Sequence, residues 1–441
     1  MALRLRDRVY IEELLEKGEP GKDYVIAGWV DTVRVHGGLV FVIVRDRTGR
    51  IQVVTKKNVS KEAWRTAKSL TPESVIAVYG TLVESKAALG GREIRAKEIV
   101  VYNKAEPLPI DVRDHTKTAL AKRLDWRFLD LRNPRNMTIF LVEAEMAKAA
   151  REWFNRNGFI EIFTSKIVGA ATEGGAEVFS IVYFDRPAFL AQSPQLYKQM
   201  GVIAGFERVY EIGPAFRAEP HHTTRHLTEY TSVDLEMGFI DSYEDVMDAV
   251  EGVVRSMVEA AQRLRKRIEE YFPDAVLELP KKIPRITIRE AYKLLEQAGV
   301  SVEWGEDLSS EAERKLGEIV EKEYGSPIVF VTEYPWKARP FYTMKKPDDP
   351  EWTLSFDLLF RGLEIATGGQ REHRYDVLVK QIEEKGLNPK SFEWYLSMFR
   401  YGAPPHGGAG IGLERVVMQT LGLTNIREAR LLPRDPERLT P

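Results

Sequence analysis

The sequence predicts a mixed α+β fold, in which a small five-stranded β-barrel precedes a larger domain of antiparallel strands flanked by helices. Three observations support this. Residues 1–106 contain five short apolar runs separated by turn residues, apolar side chains recur at helical spacing from about residue 136, and two later stretches alternate like antiparallel hairpins. A chain of 441 residues, 44% of them hydrophobic, is long enough for two or three packed domains.

The barrel strands are predicted at residues 23–30, 38–46, 50–55, 74–84 and 92–102, with a helical stretch at 60–69. Five strands and one helix indicate a barrel of the OB type, whose exposed face commonly binds single-stranded nucleic acid. Residues 1–106 hold 19 Lys and Arg against 14 Asp and Glu. That modestly basic balance fits nucleic-acid contact, although a solvated charged surface would explain it equally well.

The rest of the chain divides less sharply. Residues 107–135 are predicted as a linker or hinge, because AEPLPIDV at 105–112 breaks the strand pattern, and residues 136–441 as the second domain. A first long helix carries Ile139, Val142, Met146, Ala149 and Trp153 on one stripe, and a second is predicted over 243–268. Residues 275–350 mix helical and strand signals and are predicted as an insertion without an assigned role.

Composition excludes several classes of chemistry. The chain has no cysteine, so disulfides, thiolate metal clusters and thiol nucleophiles are ruled out. No segment approaches the roughly 18 apolar residues of a membrane span, and the charged N-terminal stretch does not resemble a signal peptide. We therefore expect a cytoplasmic protein without a membrane partner.

Residues 208–239 predict a hairpin with one apolar face and one ionisable face. Its loop, FRAEPHHTTRHLTE, contains three of the chain's seven histidines, His221, His222 and His226. A metal site would need a helix to bring His222 and His226 together, and this Thr-rich loop predicts none. Arg217 and Arg225 would also repel a cation, whereas arginine forks match phosphate and carboxylate groups. An anion pocket is therefore the favoured interpretation, with a histidine metal site as the alternative.

Residues 355–374 predict a second hairpin. If Arg361-Gly362 forms a two-residue turn, Leu359 lies opposite Glu364, and Asp357 shares a face with Leu359. The two carboxylates then point the same way, with their backbones roughly 5.5 to 8 Å apart. That arrangement suits Mg²⁺, which takes one or two carboxylates plus substrate phosphates; two surface acids on a polar strand are the alternative.

A glycine run closes the set of motifs, in PPHGGAGIGLERVVMQTLGL at 404–423. Leu413 stands where a dinucleotide fingerprint requires its last glycine, and no βαβ unit surrounds the run. The glycines instead allow the backbone to approach a flat ligand. Arg415 follows at the start of a predicted helix, where it is well placed to meet phosphate.

Three segments now stand in order: GFIEIFTSK (158–166), the hairpin with Arg217-x-Glu219, and GAGIGLER (408–415). Together they resemble the three motifs of class II aminoacyl-tRNA synthetases. With the N-terminal barrel, the chain resembles the aspartate, asparagine and lysine subgroup, most closely the archaeal and eukaryotic aspartyl type, over nearly its whole length. The resemblance implies an OB anticodon-binding domain at 1–106 and a class II catalytic domain, an antiparallel sheet flanked by helices, at 136–441.

The resemblance also implies sites for ATP and Mg²⁺. Arg217, Glu219 and Arg415 are the implied catalytic residues; Arg217 would hold the ATP α-phosphate and the amino-acid carboxylate, and Arg415 the γ-phosphate. The Mg²⁺ ligands would be Asp357 and Glu364. The implied ATP-binding residues are Arg217, Glu219, Arg225, His226, Leu227, Glu364, Thr367, Gly412 and Arg415.

The segments QSPQLYKQ (192–199) and GGQREHR (368–374) resemble those of aspartate enzymes. Glu173 would meet the substrate ammonium, while Lys198 and Arg371 would clamp the side chain. Two cations favour a carboxylate over a neutral amide, because a buried unpaired cation is costly. The implied aspartate-binding residues are Glu173, Gln195, Lys198, Arg217, Thr367 and Arg371.

The implied activity is that of an aspartate–tRNA ligase, which forms aspartyl-adenylate from L-aspartate and ATP and transfers aspartate to the 3'-terminal adenosine of tRNA(Asp). An asparaginyl-tRNA synthetase or an asparagine-making relative is the first alternative. A non-catalytic OB-fold RNA-binding protein is a remote one, because the catalytic residues of the motifs are all present.

The implied anticodon contacts are Arg34, Phe41, Gln52 and Lys86. Phe41 would stack on a base, with a simple role in the barrel core as the alternative. Asp31 stands where close relatives carry Trp or His, at a position that helps to decide whether tRNA(Asn) is charged as well, so that question stays open. The first motif normally ends in proline and here ends in Ser165; it builds a dimer interface, and a homodimer is expected.

Overall fold

The computed structural model describes residues 3–169, 177–220 and 223–441. The chain forms two compact units, Met1–Thr118 and Ala119–Pro441. The boundary between them falls inside the stretch 107–135, which the sequence predicts as a linker. Helices α3 (Leu120–Asp125) and α4 (Arg127–Asp130) in that stretch belong to the second unit.

The first unit is a closed five-stranded barrel, which confirms the predicted OB-type architecture. Around the barrel its strands run β1 (Asp23–His36), β2 (Leu39–Arg45), β3 (Arg50–Lys56), β5 (Arg92–Asn103) and β4 (Val75–Glu84). Two helices belong to the same unit, α1 (Ile11–Lys17) and α2 (Lys61–Ser69). The side chain of Ser60 caps α2 by accepting a hydrogen bond from the Ala63 amide.

Strand β2 illustrates why these residues close a barrel. Val40, Val42 and Val44 are fully buried inside it, whereas Phe41 lies between them in sequence and is only half-buried. Successive side chains of a strand point to opposite faces, so the valines fill the interior and Phe41 stands on the outer face. The inward set packs with residues of the other strands and of α2 into one core.

The second unit is built on an eight-stranded, largely antiparallel sheet. In spatial order its strands are β12 (Arg285–Thr287), β13 (Ile328–Thr332), β14 (Ser355–Phe360), β15 (Leu363–Gln370), β16 (His406–Gly412), β11 (Glu229–Gly238), β10 (Arg208–Phe216) and β6 (Ile160–Glu161). Both predicted hairpins are present, and the glycine-rich strand β16 joins them edge to edge. A separate three-stranded sheet contains β7 (Ile167–Val168), β9 (Arg186–Leu190) and β8 (Ser180–Tyr183).

Helices α5 (Pro134–Arg156), α7 (Tyr243–Ala260) and α13 (Leu413–Leu421) share one core with this sheet. The predicted stripe of α5 is buried from Ile139 to Ala149, and Gly158 just beyond the helix has φ +75°, the left-handed geometry of a helix end. The prediction of one helix over 243–268 is wrong. Helix α7 ends at Ala260 and is followed by a 3-10 turn; α8 (Arg265–Tyr271) begins after Leu264, which departs from helical geometry (φ −111°, ψ 17°).

Residues 275–350, ambiguous in the sequence, supply part of the scaffold. Strands β12 and β13 extend the main sheet at one edge, and α9 (Ile288–Gln297) and α10 (Ser310–Tyr324) pack with them into a separate apolar core. Another core joins α6 (Gln195–Gly201), α11 (Tyr375–Glu384) and α12 (Glu393–Arg400). Of the helices in the described part of the chain, none combines the length and the apolar character needed to cross a membrane.

Candidate active site

The two hairpins and β16 meet at a cavity of about 300 Å³ in the second unit. Its wall is formed by side chains that are far apart in sequence and that include most of the predicted site residues: Gln195, Lys198, Arg217, Glu219, Arg225, His226, Leu227, Glu364, Thr367, Arg371, Gly412 and Arg415. Glu173 lies outside the described residues, as do His221 and His222.

The β10–β11 hairpin holds Arg217 at its loop end. The ladder pairs Glu211 with Asp234 and ends with Phe216 opposite Glu229. One residue further, the Arg217 amide donates a hydrogen bond to the Thr228 carbonyl at 2.9 Å. The Arg217 side chain therefore leaves a rigid ladder and enters the cavity wall, with its guanidinium carbon 5.7 Å from the centre of the Tyr230 ring.

The pKa of His226 reflects the positive charges at this end of the cavity. Burial, together with the charges of Arg415, Arg225 and Arg217, lowers the pKa of His226 to about 4. The imidazole is therefore neutral at pH 7, and its Nδ1 lies 2.6 Å from Thr223 Oγ1. Within residues 3–169, 177–220 and 223–441, no group of three His, Asp or Glu is placed to hold a metal ion. Three arginines around a neutral histidine form an environment suited to an anion.

At the other end of the cavity lies a buried cluster of two cations and two carboxylates. Lys198 Nζ donates to Asp234 Oδ1 at 2.9 Å and to the Ala409 carbonyl at 3.1 Å, and it lies 3.5 Å from Glu236 Oε2. Arg371 Nε donates to Glu236 Oε1 at 2.9 Å. Burial raises the pKa of Glu236, but Arg371 and Lys198 outweigh it and hold that pKa below its ordinary value. The charges of this end of the cavity therefore balance one another.

A chain of hydrogen bonds continues behind this cluster. Arg371 Nη2 donates to Gln195 Oε1 at 3.2 Å, and Gln195 Nε2 donates to Gln199 Oε1 at 3.1 Å. Gln199 Nε2 lies 2.8 Å from His406 Nε2, and His406 Nδ1 lies 2.8 Å from the Pro404 carbonyl. Because a carbonyl only accepts, the proton of a neutral His406 sits on Nδ1 and its Nε2 accepts from Gln199. This series of hydrogen bonds fixes the orientation of the Gln195 side-chain amide in the cavity wall.

The β14–β15 hairpin has the predicted pairing of Leu359 with Glu364, but a bulge follows, and Asp357 pairs with Thr367. Glu364 lines the cavity with its side chain 33% exposed, whereas Asp357 is buried and its Oδ2 lies 2.7 Å from Arg339 Nη2. Burial raises the pKa of Asp357 against the opposing charge of Arg339, and the charge of Glu364 adds to the rise. Asp357 and Glu364 are therefore not a pair of surface acids on a polar strand.

These two carboxylates fit a hard cation. Asp357 Oδ1 is a buried acceptor without a hydrogen-bond partner among the described residues, and Glu364 opens onto the cavity. An orphaned carboxylate oxygen beside a second carboxylate is the donor set that Mg²⁺ accepts, with the remaining positions left to water and phosphate. Arg339, which sequence reasoning did not assign, currently neutralises Asp357.

Glycine is required on β16 for a reason beyond ligand approach. A Cβ on Gly408 would lie 2.0 Å from Glu236 Oε2 and 2.2 Å from the Leu235 carbonyl oxygen. The missing side chain therefore makes room for the buried carboxylate that Arg371 and Lys198 contact. Beyond the strand, Arg415 Nη1 donates to the Glu364 carbonyl at 2.7 Å, so the first turn of α13 is tied to the β14–β15 hairpin.

In the first unit, three of the four predicted anticodon residues lie on one outer face of the barrel. Arg34 is opposite Phe41 on the β1–β2 ladder, and Gln52 is opposite Ile43 on the β2–β3 ladder. Gln52 donates to Glu93 Oε2 at 2.9 Å. Lys86 is exposed in the connection between β4 and β5. Phe41 is absent from the buried barrel core, so the alternative of a simple core role is wrong.

Asp31 lies buried in the barrel wall rather than exposed on its surface. It occupies a bulge in β1 between Val30 and Thr32, its side chain is 9% exposed, and its carboxylate lies 3.5 Å from Arg45 and 3.9 Å from Arg50. Arg45 in turn donates to both oxygens of Glu73. Asp31 is therefore one member of a buried ion cluster.

Comparison with known proteins assigns both units. Residues 119–436 match the family described as tRNA synthetases class II (D, K and N), and residues 24–102 match the OB-fold nucleic acid binding domain. The first match covers well over half of the chain. The chain belongs to this family. It is therefore an aminoacyl-tRNA synthetase, an ATP-dependent ligase with an amino acid and a tRNA as substrates.

Relatives cover the synthetase from end to end. The aspartate–tRNA(Asp/Asn) ligase of Aeropyrum pernix is 53% identical, covering 99% of this chain and 100% of its own. The aspartate–tRNA(Asp) ligase of Pyrococcus abyssi is 47% identical, covering 98% and 99%.

Among solved structures, asparaginyl-tRNA synthetase from Pyrococcus horikoshii with asparaginyl-adenylate is similar, with a TM-score of 0.93, 38% identity and coverage of 98% and 99%. The aspartyl-tRNA synthetase from Entamoeba histolytica has a TM-score of 0.89 at 32% identity, covering 98% of this chain and 93% of its own. The fold is thus common to enzymes named for aspartate and for asparagine, and amino-acid choice must come from side chains in the pocket.

Several residues of the synthetase's pocket were missed by sequence reasoning. Asp234 and Glu236 were visible as the ionisable face of β11, and their alternation could have placed them beside Lys198. Gln199, His406 and Arg339 gave no signal, because their partners are far away in the sequence: Gln199 lies against His406, and Arg339 pairs with Asp357.

Proposed function

We propose that this synthetase is an aspartate–tRNA ligase, which activates L-aspartate with ATP and transfers it to the 3'-terminal adenosine of tRNA(Asp). The observation that carries the proposal is the buried cluster of Lys198, Arg371, Asp234 and Glu236, read together with end-to-end relatives that are named for aspartate.

The balance of positive and negative charges in that cluster favours aspartate as the substrate. Asp234 lines the cavity, and its Oδ2 is buried without a hydrogen-bond partner among the described residues, so it is the natural acceptor for the substrate ammonium. Once the ammonium neutralises Asp234, Lys198 and Arg371 face Glu236 alone. A side-chain carboxylate restores the balance, whereas the neutral amide of asparagine leaves one buried cation unmatched. Glu173 is proposed as a second ammonium contact.

At the opposite end, the arginine-rich wall would receive ATP. Arg217 is proposed to bridge the α-phosphate and the amino-acid carboxylate, and Arg415 to bind the γ-phosphate. Arg225 and the neutral His226 would add contacts to the phosphates, and Glu219 would contact the adenosine. Leu227, Glu364, Thr367 and Gly412 complete the proposed nucleotide wall, and all four line the same cavity.

The chemistry then needs no protein nucleophile. The α-carboxylate of aspartate attacks the α-phosphorus in line, the bond to the β-phosphate oxygen breaks, and pyrophosphate leaves. Arg217 and Arg415 act by positioning the reactants and by offsetting charge that builds on the phosphorus oxygens. Asp357 and Glu364 would hold Mg²⁺, which when bound neutralises phosphate charge. In the second step, the terminal ribose hydroxyl of the tRNA takes the aspartyl group and AMP is released.

The test is charging of purified tRNA(Asp) and tRNA(Asn) transcripts with labelled aspartate or asparagine, ATP and Mg²⁺. Aspartate transfer to tRNA(Asp) is expected. We propose transfer to tRNA(Asn) as well, because the relatives at 53% and 51% identity are both named for tRNA(Asp/Asn). Transfer of asparagine, or of neither amino acid, would overturn the proposal; aspartate on tRNA(Asp) alone would restrict it to one tRNA.

The outer face of the barrel is proposed to bind the anticodon through Arg34, Phe41, Gln52 and Lys86. Replacing Phe41 with Ala should raise KM for tRNA by about 5- to 150-fold, because stacking of one base on an aromatic ring contributes about 1–3 kcal/mol. Aspartate-dependent pyrophosphate exchange should stay unchanged, because exchange needs no tRNA. Tyr102→Ala, an exposed aromatic on β5, is the matched control. Equal effects of the two variants on charging would count against a specific stacking role.

We propose a homodimer in solution. Ile160 and Phe163 of the GFIEIFTSK segment are 48% and 84% exposed, and neighbouring exposed apolar side chains mark interaction surfaces. Sedimentation velocity measures this directly; a species with the mass of one chain, 50.4 kDa, would contradict it.

A further inference from the structure

Helix α10, in the stretch 275–350 that sequence patterns left without a role, makes backbone contact with the β14–β15 hairpin. A Cβ on Gly317 of α10 would lie 2.5 Å from the Gly362 amide nitrogen, and a Cβ on Gly362 would lie 2.6 Å from Arg314 Cα. Two glycines facing each other allow the helix and the turn to touch without side chains between them. The helix is therefore fixed relative to Glu364, which follows the turn by two residues.

Glu313 lies four residues before Gly317 and so on the same face of α10. Its Oε2 accepts a hydrogen bond from Arg225 Nη2, which makes a direct ion pair between α10 and the β10–β11 loop. The two side chains are only 13% and 20% exposed, so solvent screens the pair weakly. Arg225 also lines the cavity, in the part of the wall that contains Arg415 and His226.

We propose that Glu313 competes with the nucleotide for Arg225: its carboxylate holds Arg225 in the nucleotide-free enzyme, and the polyphosphate of ATP has to take over that guanidinium. This inference rests on the proposed role of Arg225 in ATP binding. A carboxylate and a phosphate use the same planar guanidinium donors, so the phosphate has to displace or share them. Glu313 therefore weakens ATP binding and should affect the β- and γ-phosphates rather than the adenosine.

The decisive variant is Glu313→Gln, which keeps the size of the side chain and removes its charge. We expect KM for ATP in aspartate-dependent pyrophosphate exchange to fall about three- to tenfold, the scale of a partly buried charge pair, with KM for aspartate unchanged. Calorimetry should show tighter binding of ATP but unchanged binding of AMP, which lacks the competing phosphates. A variant that merely loosened the fold would weaken both ligands.

Two controls test whether the effect is specific to the pair of Glu313 and Arg225. Glu311→Gln removes an exposed carboxylate from the first turn of the same helix and should leave every constant unchanged. In an Arg225→Gln background, Glu313→Gln should no longer change ATP affinity, because the two residues are proposed to act as a pair. Glu313→Asp retains the charge and should stay closer to wild type than Glu313→Gln; it also serves if the glutamine variant does not fold.

A KM for ATP that rises in Glu313→Gln would overturn the inference, since the carboxylate would then be holding Arg225 in its productive place. Equal ATP affinity in the variant and wild type would overturn it too. Failure of the proposed function gives a different signature: wild-type enzyme would show no aspartate-dependent exchange at all, whatever residue 313 is.

Discussion

Replacing Arg217 with Ala should reduce the rate of aspartate-dependent pyrophosphate exchange by about 10³-fold or more. Enzymes lose rate on this scale when a donor that stabilises charge in the transition state is removed. Arg217 is the cation that the β10–β11 ladder delivers to the cavity wall, held through its amide by the Thr228 carbonyl at 2.9 Å. It is proposed to contact both reactants, so its loss removes orientation as well as charge neutralisation. Adenylate formation, followed as labelled pyrophosphate entering ATP, is the measurement.

Binding of tRNA should survive this change, because the proposed anticodon residues lie in the first unit and Arg217 in the second. Filter binding of tRNA(Asp) tests that half of the prediction. Arg208→Ala is the matched control, since Arg208 begins the same strand with an exposed side chain outside the cavity wall and should exchange at the wild-type rate. Comparable exchange by Arg217→Ala and wild type would refute the assigned role.

Local patterns explain how much of this architecture was predictable. The five barrel strands follow from apolar runs between turn residues, and the pairing of Leu359 with Glu364 follows from a two-residue turn at Arg361-Gly362. Both rest on interactions between neighbours in the chain. The bulge one pair further along, which sets Asp357 opposite Thr367, left no such signal.

The pocket was less predictable because its charges meet through the order of the strands. Glu236 and Arg371 are 135 positions apart and touch because β16 lies between β11 and β15, with Gly408 leaving space for the carboxylate. From sequence alone, Lys198 and Arg371 resembled two unmatched cations. The structure gives each an acidic partner, so the argument for aspartate has to count the substrate ammonium as well.

The same limit applies to α10. The stretch 275–350 mixes helical and strand signals, and nothing in it indicated that Glu313 would reach Arg225, 88 positions earlier. Contacts of this kind depend on how an insertion packs on the sheet, here through Gly317 against Gly362.

Replacing Lys198 with Met is the second change with a large expected effect, and its signature is a change in selectivity. Methionine has similar length and no charge, so Asp234 and Glu236 lose a buried partner at 2.9 and 3.5 Å. We expect kcat/KM for aspartate to fall about 10²- to 10³-fold, since truncating one member of a buried charge pair costs about 2–5 kcal/mol and each 1.4 kcal/mol is about tenfold.

Asparagine should respond differently. In the variant, the substrate ammonium still neutralises Asp234 and Arg371 still matches Glu236, so a neutral amide no longer leaves a cation unpaired, whereas an aspartate side chain adds an unmatched negative charge. The ratio of kcat/KM for aspartate to that for asparagine should therefore fall by at least about tenfold. Pyrophosphate exchange with each amino acid measures this ratio, with the exposed Lys148→Met on α5 as the control. A smaller folded fraction would lower both rates by the same factor and would not alter the ratio. A ratio equal to that of the wild type would therefore show that the charge of Lys198 does not select the substrate.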